Sequence, residues 1–367
     1  MSANAVKCPS CNTVTTKGAI EWGRTKGWPL RTDAPRCPTC GHMTPGAPSE
    51  WKEPNPKPQE IYDEQVLLRY RETNEPARKV KYKLVERRTG KVLAEAQTDE
   101  QGLTERVTTE KAEHLDIFVY RLDENQNEVE KSVDSFAKTN TSPDSLRTEY
   151  IYRGRIFFDM RYKNDEKDKP QSFIKAAETQ KRKAAFRGFD KYRGDIWLTF
   201  IVTTENDLKT AWQNIYDLQQ KYDIEVHEGA VFTHARAGFH NVDSPGLTFA
   251  PDGEGEKLNF QEIANLPKLK WTKSSTLYLY GCNTGAFGSL VDTTSIADVF
   301  FYNQEVKTVK SQMGFSYFSY SETSYVEIAD RIDDDKDIYL LTFIRRRNVM
   351  WANDHETSVM PFRTKNR

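Results

Sequence analysis

The sequence predicts a multidomain protein: a cysteine-rich amino-terminal module, a small antiparallel β sandwich, and a carboxyl-terminal α/β domain with a mostly parallel sheet. The length of 367 residues exceeds what one hydrophobic core normally serves. Short alternating runs fill the first part, whereas the almost continuously apolar run from Ile196 predicts a strand covered on both faces. The predicted divisions are the cysteine module at 1–50, a proline-rich linker at 51–60, the sandwich at 61–124, a linker and connecting segment at 125–187 and the α/β domain at 188–367.

The composition excludes two classes of partner. The chain has 53 Lys and Arg residues against 54 Asp and Glu, so its net charge of −1 creates no global field toward nucleic acid. No apolar run is long enough to span a bilayer, and none near Met1 resembles a signal peptide. We therefore expect a protein made in the cytoplasm, without a membrane span or a nucleic-acid partner, which leaves the cell only by a route other than general secretion.

Four of the five cysteines form two Cys-x-x-Cys pairs separated by 25 residues, Cys8 with Cys11 and Cys37 with Cys40. Each two-residue spacer lets a turn aim both sulfurs at one ion, and four thiolates close a tetrahedron around Zn²⁺. The spacing predicts a zinc ribbon with a structural metal, because no coordination position stays open for substrate. The alternatives are disulfides or redox pairs, which fit less well without a signal peptide or a thioredoxin-like βαβ pattern.

The predicted sandwich contains three short motifs: Tyr62-Asp63-Glu64-Gln65, Thr73-Asn74-Glu75-Pro76, and a turn from Thr98 to Thr104. They resemble a β module of bacterial type VI secretion proteins and effectors, whose pattern is F-D-E-Q, T-G-E-P and T-D-x-x-G-x-T. Tyr62 and Asn74 depart from that pattern. The resemblance implies delivery and not chemistry, with a secretion spike or chaperone protein as a partner. An unrelated small β sandwich is the alternative.

Helical and strand patterns alternate in the predicted α/β domain. The stretch from Thr204 to Asp207 is typical of a helix cap, and the apolar residues after it recur at helical spacing: Leu208, Trp212, Ile215, Leu218 and Tyr222. Further helices are expected at 258–266, 296–301 and 306–313, and further strands at 314–318 and 338–343. This order predicts a series of right-handed α/β crossovers.

Two strand ends carry the residues that point to chemistry. One apolar run ends at His234 and another at Gly281-Cys282, and glycines follow each. Neighbouring parallel strands would place this imidazole and this thiol side by side at the carboxyl edge of the sheet, where such sheets hold their ligands. A cysteine nucleophile requires at least a thiol with an imidazole beside it. A buried cysteine and a structural histidine are the alternatives, and His240 is the reserve base.

The run L-Y-G-C-N-T-G from Leu279 to Gly285 carries a second resemblance. With its cysteine 48 residues after His234, it resembles the caspase-like superfamily of cysteine peptidases, clan CD, which includes bacterial CHAT-type domains. The resemblance implies a caspase-like α/β fold, with Cys282 as nucleophile and His234 as general base or acid. It also implies that Gly238 and Gly281 support the loops and the oxyanion. Ala235 stands where this family usually has glycine.

Substrate contacts are less clearly marked in the sequence. A carboxylate near the strand ends would favour a basic side chain in the substrate, and the candidates are Asp195, Asp243 and Asp292. Ordinary solvated acids are the alternative for all three.

Together the two resemblances imply a type VI secretion-type bacterial toxin effector that acts as a cysteine endopeptidase, a hydrolase of protein or peptide substrates. It would stay in the bacterial cytoplasm until delivery into a target cell, and an immunity protein would be a further partner. Two alternatives stay open. The same thiol and imidazole could serve a cysteine amidase acting on cell-wall peptide, or the chain could be a non-enzymatic adaptor or cargo protein with a degenerate α/β domain.

Overall fold

The computed structural model describes residues 62–133, 146–163, 171–237, 245–249, 256–287, 294–324, 326, 328, 332–333, 335–343 and 362–367, with the backbone of five short strands outside these ranges. The chain separates into two compact units. The first comprises Met1–Asp63, Thr108–Ala112 and Thr141–Pro143, and the second comprises the rest of the chain. The protein is a multi-sheet α/β protein with few helices among its described residues.

Two short antiparallel pairs are seen in the first unit. Strand β1 (Ala5–Lys7) pairs with β2 (Val14–Thr16), and β3 (Glu21–Trp22) pairs with β4 (Pro35–Arg36). The four cysteines of the predicted zinc ribbon, Cys8, Cys11, Cys37 and Cys40, lie outside the described residues. The zinc ribbon therefore stays a prediction.

The next eight strands form the β sandwich. They are β5 (Tyr62–Tyr70), β6 (Lys81–Glu86), β7 (Val92–Gln97), β8 (Val107–Thr109), β9 (His114–Leu122), β10 (Glu128–Ser132), β11 (Lys138–Thr139) and β12 (Leu146–Ile151). One sheet has the order β10-β9-β6-β7, with β11 also paired to β9, and the other has the order β12-β5-β8. Alternate side chains of both sheets, such as Leu68 and Leu84, share one hydrophobic core.

The sandwich differs from the predicted one in its last three strands. Strands β10, β11 and β12 lie in the segment 125–187, which the sequence analysis assigned to connecting chain, and β12 pairs with β5 in parallel and not antiparallel orientation. Its inward positions hold charged residues: buried Arg147 lies 3.2 Å from Glu64 and 3.4 Å from Glu149. An ion pair between inward-facing residues hides the apolar alternation that marks a strand in sequence.

The remaining elements follow in chain order: β13 (Arg155–Tyr162), α1 (Ser172–Arg182), β14 (Ile196–Val202), α2 (Glu205–Lys221), β15 (Glu225–Phe232), β16 (His234–Arg236), β17 (Gly246–Thr248), β18 (Lys257–Asn259), α3 (Phe260–Ala264), β19 (Trp271–Leu279), α4 (Ile296–Gln304), β20 (Thr308–Ser311), β21 (Phe315–Ser319), β22 (Tyr339–Phe343) and β23 (Arg363–Asn366). Two short 3₁₀ helices, Ala184–Arg187 and Lys191–Arg193, join α1 to β14.

A six-stranded sheet organises this region, in the order β14-β13-β15-β19-β20-β23. The first five strands are parallel and β23 is antiparallel, so the sheet is mostly parallel as predicted. Strand β13 also comes from the predicted connecting segment. In chain order the parallel strands run 2-1-3-4-5, a doubly wound arrangement whose ligand crevice lies at the carboxyl ends around the first and third strands. Those strands are β13 and β15.

Helices cover both faces of this sheet. On one face, Trp212 of α2 packs edge-on against Phe158 of β13 and near Phe300 of α4. A capping box starts α2, since the Thr204 hydroxyl accepts from the Asp207 N–H and the Asp207 carboxylate accepts from the Thr204 N–H. On the other face, α1 contacts β13 and β15, and β22, which forms a hairpin with β21, contacts α1.

One of the expected helices is wrong, and another is shorter than predicted. Residues 306–313 contain strand β20, which lies between β19 and β23 in the sheet. Its side chains alternate between partly and fully buried. Residues 258–266 begin in strand β18 and then form only the five-residue helix α3. Short apolar runs do not distinguish helix from strand by periodicity alone. Within the described ranges, no helix combines the length and apolar character needed to cross a membrane.

The amino end of β15 holds a histidine that stays neutral in the folded protein. The His227 ring lies 5.2 Å from the Phe157 ring, and its Nδ1 is 2.9 Å from the Thr272 hydroxyl. Burial, with a contribution from the positive charge of Arg155, lowers the pKa of His227 from 6.5 to about 4.

We expect His227 to make the fold less stable in acid. The unfolded chain takes up this proton near pH 6.5 and the folded chain only near pH 4, so the free energy of unfolding should fall between these values by at most about 1.4 kcal/mol per pH unit. Urea unfolding at several pH values should show a shallower slope of the free energy of unfolding against pH for His227→Gln than for the wild type. Equal slopes for the two proteins would contradict the assignment.

Candidate active site

The two candidate catalytic residues follow adjacent parallel strands. Strand β15 ends at Phe232 and β19 ends at Leu279, and Val231 lies opposite Leu279 in the parallel register. The ladder continues one step further, since the Tyr280 N–H donates to the Val231 carbonyl at 2.9 Å. His234 and Cys282 therefore leave the same carboxyl edge from neighbouring strands, as the sequence predicted.

Gly281 marks the closest approach of the two segments. A Cβ atom at this position would lie 2.6 Å from the Cβ of Ala235 and 3.0 Å from the carbonyl oxygen of Thr233. Real Cβ atoms do not come this close to other heavy atoms, so only glycine allows the segments to touch. The contact joins the residues directly beside His234 to the residue directly before Cys282.

The thiol of Cys282 is partly buried and receives a hydrogen bond. The Ser316 N–H donates to its Sγ at 3.3 Å, and the Ser316 hydroxyl donates to the Tyr280 carbonyl at 3.2 Å. Both groups of Ser316 therefore hold the turn between β19 and the cysteine. Ser316 belongs to β21, and no signal in the sequence connects it with Cys282.

Backbone hydrogen bonds fix the loop after the thiol. Asn283 has a left-handed φ of 57° and donates its N–H to the Gly314 carbonyl at 2.7 Å, and the Gly285 N–H donates to the Gln312 carbonyl at 2.8 Å. The buried hydroxyl of Thr284 is 3.1 Å from the carbonyl oxygens of Leu279 and Gly281 and also accepts from the Gln312 N–H. These hydrogen bonds therefore hold the loop against the end of β19 and against the chain after β20.

Aromatic rings orient His234. Its ring packs edge-on against Tyr162 of β13 at 5.5 Å and against Phe173 of α1 at 5.1 Å, between ring centroids. Its backbone starts the short strand β16, where it lies opposite Thr248 of β17. The imidazole thus lies beside the carboxyl end of β13, at the point where the strand order reverses. Sequence patterns did not indicate Tyr162 or Phe173 as neighbours of this histidine.

Asp195, a candidate substrate-binding residue, is not brought to this edge. It directly precedes β14, at the amino ends of the parallel strands, and its side chain is 0% exposed. Arg155 donates to both carboxylate oxygens, at 3.0 and 2.6 Å, and the Asp190 N–H donates at 2.9 Å. These contacts make it a structural carboxylate, because a fully paired and buried group has no surface left for a substrate.

Several other predicted site residues fall outside the described part of the chain. They are Gly238, His240, Asp243 and Asp292, together with the four cysteines assigned to zinc. In the described part, no three His, Cys, Asp or Glu residues come together as a group that could hold a metal ion. The site that the structure does describe consists of Cys282, His234 and Gly281 with their neighbours.

Comparisons with known proteins give no family for this chain. No family model matches it, and no curated protein matches it. One similar solved structure is a 9R-lipoxygenase from Cyanothece PCC8801, with 12% identity and a TM-score of 0.18, covering 39% of this chain and 27% of the lipoxygenase. Another is the dodecameric iron-containing heptosyltransferase TibC, with 10% identity and a TM-score of 0.13, covering 72% and 82%. Likenesses at these TM-scores carry no argument about fold or function.

The contact at Gly281 predicts the effect of a single methyl group. We expect Gly281→Ala to lower the free energy of unfolding by about 1–3 kcal/mol, because its Cβ must push the cysteine segment away from Ala235. Hydrogen exchange should become faster at the amides of Asn283, Gly285 and Ser316, whose bonds hold the displaced segment.

Gly90→Ala is the control, because a Cβ at Gly90 would meet no atom within 4 Å, although Gly90, unlike Gly281, has a left-handed backbone with a φ of 72°. It should cost about 1 kcal/mol through backbone strain and leave exchange in the cysteine loop unchanged. If Gly281→Ala were as stable as the wild type in urea, the close contact would not exist in solution.

Proposed function

We propose that this protein is a cysteine peptidase with a caspase-like α/β domain, in which Cys282 is the nucleophile and His234 the general base and acid. One observation supports this most: His234 and Cys282 leave the carboxyl ends of adjacent parallel strands and flank the contact between Gly281 and Ala235. This is the arrangement that the sequence resemblance implies. Ligand sites of doubly wound sheets also lie at this edge.

The proposed reaction has two steps. Cys282 loses its proton to His234, its sulfur forms a bond to the carbonyl carbon of a peptide bond, and the C–N bond breaks as His234 passes the proton to the leaving amine. Water then attacks the thioester, giving one proton to His234, which returns it to the sulfur as the acid leaves. The net change is one amide and one water converted to a carboxylic acid and an amine.

The negative oxygen formed in each step needs hydrogen-bond donors. The N–H groups of Asn283 and Gly285 already donate to the carbonyls of Gly314 and Gln312. We therefore assign this task to the N–H of Cys282 itself, together with the segment near Gly238. The Ser316 N–H has a different task, since it points at the sulfur and suits the thiolate that attacks.

We further propose that the chain is a type VI secretion-type effector, an antibacterial or anti-host toxin. This rests on the motifs of the β module, the first of which, Tyr62 to Gln65, begins strand β5. A target-cell protein would be the substrate, and an immunity protein would protect the producer.

Variants of the dyad test the peptidase. We expect the full-length wild type to create new protein amino termini in a bacterial lysate, detected by amino-terminal labelling and mass spectrometry. Cys282→Ala should abolish them, and His234→Gln should reduce their rate of formation by about 10²–10⁴. His114→Gln, at an exposed site in β9, is the matched histidine control and should cut like the wild type.

Expression in cells separates the competing functions. Toxicity in the bacterial cytoplasm that Cys282→Ala removes supports the peptidase, whereas toxicity only in the periplasm supports an amidase on cell-wall peptide. Identical growth and identical amino termini with wild type and Cys282→Ala would overturn catalysis and leave a non-enzymatic adaptor. Far-ultraviolet circular dichroism of each variant checks that the fold is retained.

We also propose structural zinc in the amino-terminal module, on the spacing of its two Cys-x-x-Cys pairs. Elemental analysis of the purified chain should find about one zinc per molecule. Replacing Cys8 and Cys11 by serine should remove the metal, while Cys282→Ser should retain it. Retention of zinc by the Cys8 and Cys11 variant would contradict the assignment.

A further inference from the structure

A buried glutamine, Gln312, connects the chain after β20 to the loop of the proposed nucleophile. It directly follows β20 and is 0% exposed. Its N–H donates to the Thr284 hydroxyl at 3.1 Å, and its carbonyl accepts from the Gly285 N–H at 2.8 Å. The backbone of Gln312 therefore holds the part of the loop that follows Cys282.

The side chain of Gln312 holds the part that precedes the cysteine. Its amide group contacts the Ser316 hydroxyl and lies 3.2 and 3.3 Å from the carbonyl oxygens of Tyr280 and Gly281. Because a carbonyl oxygen only accepts hydrogen bonds, the nitrogen of the amide faces these groups and donates to them. One side chain thus contacts the two residues before Cys282 and the residue whose N–H donates to its sulfur.

The side-chain contacts of Gln312 fix positions more than they stabilise the fold. The Tyr280 carbonyl also accepts from the Ser316 hydroxyl at 3.2 Å, and the Gly281 carbonyl has the Thr284 hydroxyl at 3.1 Å. Without the Gln312 amide, both carbonyls would keep a hydrogen-bond donor, so neither would bear the cost of an unpaired buried group. The group that ties Ser316 to Gly281 would be lost.

We propose that Gln312 is a positioning residue of the peptidase, which holds Ser316 and the turn before Cys282 so that the sulfur keeps its place against the Ser316 N–H. This inference rests on the proposed function. Gln312 acts through Ser316 and Gly281, and no contact with a substrate is part of its role. Because misplacing a reacting group by about 1 Å can lower a rate about 10²-fold, this role concerns the chemical step and not substrate binding.

The variant Gln312→Met tests this role, because it keeps the length of the side chain and removes its polar groups. The substrate is a synthetic peptide that spans a cleavage site found by amino-terminal labelling. We expect kcat to fall about 10–100-fold, while KM stays within about twofold of the wild-type value. A displaced nucleophile slows the chemical step, whereas a disturbed substrate site would raise KM.

Gln219→Met is the matched control for the loss of a buried amide. Gln219 is 1% exposed, its nitrogen donates to the Ile224 and Lys270 carbonyls at 3.2 and 2.8 Å, and its oxygen accepts from the Lys270 N–H at 2.9 Å. These bonds lie at the amino ends of β15 and β19, the edge of the sheet opposite to Cys282. Gln219→Met should lower the free energy of unfolding in urea at least as much as Gln312→Met, and should keep the wild-type kcat.

A double-mutant cycle tests whether Gln312 acts through Ser316. Ser316→Ala removes the hydroxyl that the Gln312 amide contacts and keeps the backbone N–H that donates to the sulfur. If the two side chains act together, Gln312→Met combined with Ser316→Ala should be about as slow as Gln312→Met alone. Fold-changes in kcat that multiply would overturn the proposal, and so would a wild-type kcat in Gln312→Met.

Hydrogen exchange separates this proposal from the peptidase. In full-length Gln312→Met, the Ser316 amide should exchange at least about tenfold faster than in the wild type, and Gln219→Met should leave its rate unchanged. Faster exchange in a protein whose wild type cleaves nothing would overturn the peptidase, and Gln312 would then be a structural support of the loop. Unchanged exchange at Ser316, with cleavage by the wild type, would overturn the role of Gln312 and retain the peptidase.

Discussion

The parallel pairing of β15 with β19 is the constraint on which the candidate site depends. Strand β15 can pack closely because Gly229 has no side chain, and the Phe158 ring of β13 occupies the space that a Cβ would need. Glycine has the same effect at the strand ends, where the absence of a side chain at Gly281 allows the cysteine segment to contact Ala235. Between these glycines the hydrogen-bond ladder continues to Tyr280, so the positions of the histidine and cysteine backbones follow from strand register and not from loop flexibility.

The two faces of this sheet are built from different chemistry. The α2 and α4 face is apolar and aromatic, whereas the α1 face buries Asp159 and Glu228, which pair with the buried Arg161 and the partly exposed Arg187. Buried ion pairs contribute little net stability, because desolvation offsets most of their attraction. In this sheet the ion pairs fix the positions of neighbouring side chains. Glu228 accepts a hydrogen bond from the Gln180 amide and so fixes the orientation of that side chain.

The two strand ends near which His234 and Cys282 lie could be predicted from the sequence, because an apolar run followed by glycine is a local pattern. Helix α2 was predictable for the same reason, since its cap and its apolar stripe both lie within one short stretch. Strand β20 was mistaken for helix because its run is too short to show a period. Ser316 could not be found, because it reaches Cys282 through tertiary packing from β21, 34 residues away in the sequence.

The aromatic contacts of His234 do not by themselves distinguish a catalytic imidazole from a structural one. Rings packed edge-on fix the plane of an imidazole, and both roles require that. The surroundings of the sulfur discriminate better. A cysteine that serves only as a small apolar side chain needs no hydrogen-bond donor, and burial away from polar groups would suit it. Cys282 is instead partly exposed, lies three residues after the last residue of β19, and accepts a hydrogen bond from the Ser316 N–H. A partly exposed sulfur that accepts a backbone hydrogen bond fits the proposed nucleophile better than a cysteine that serves only as an apolar side chain.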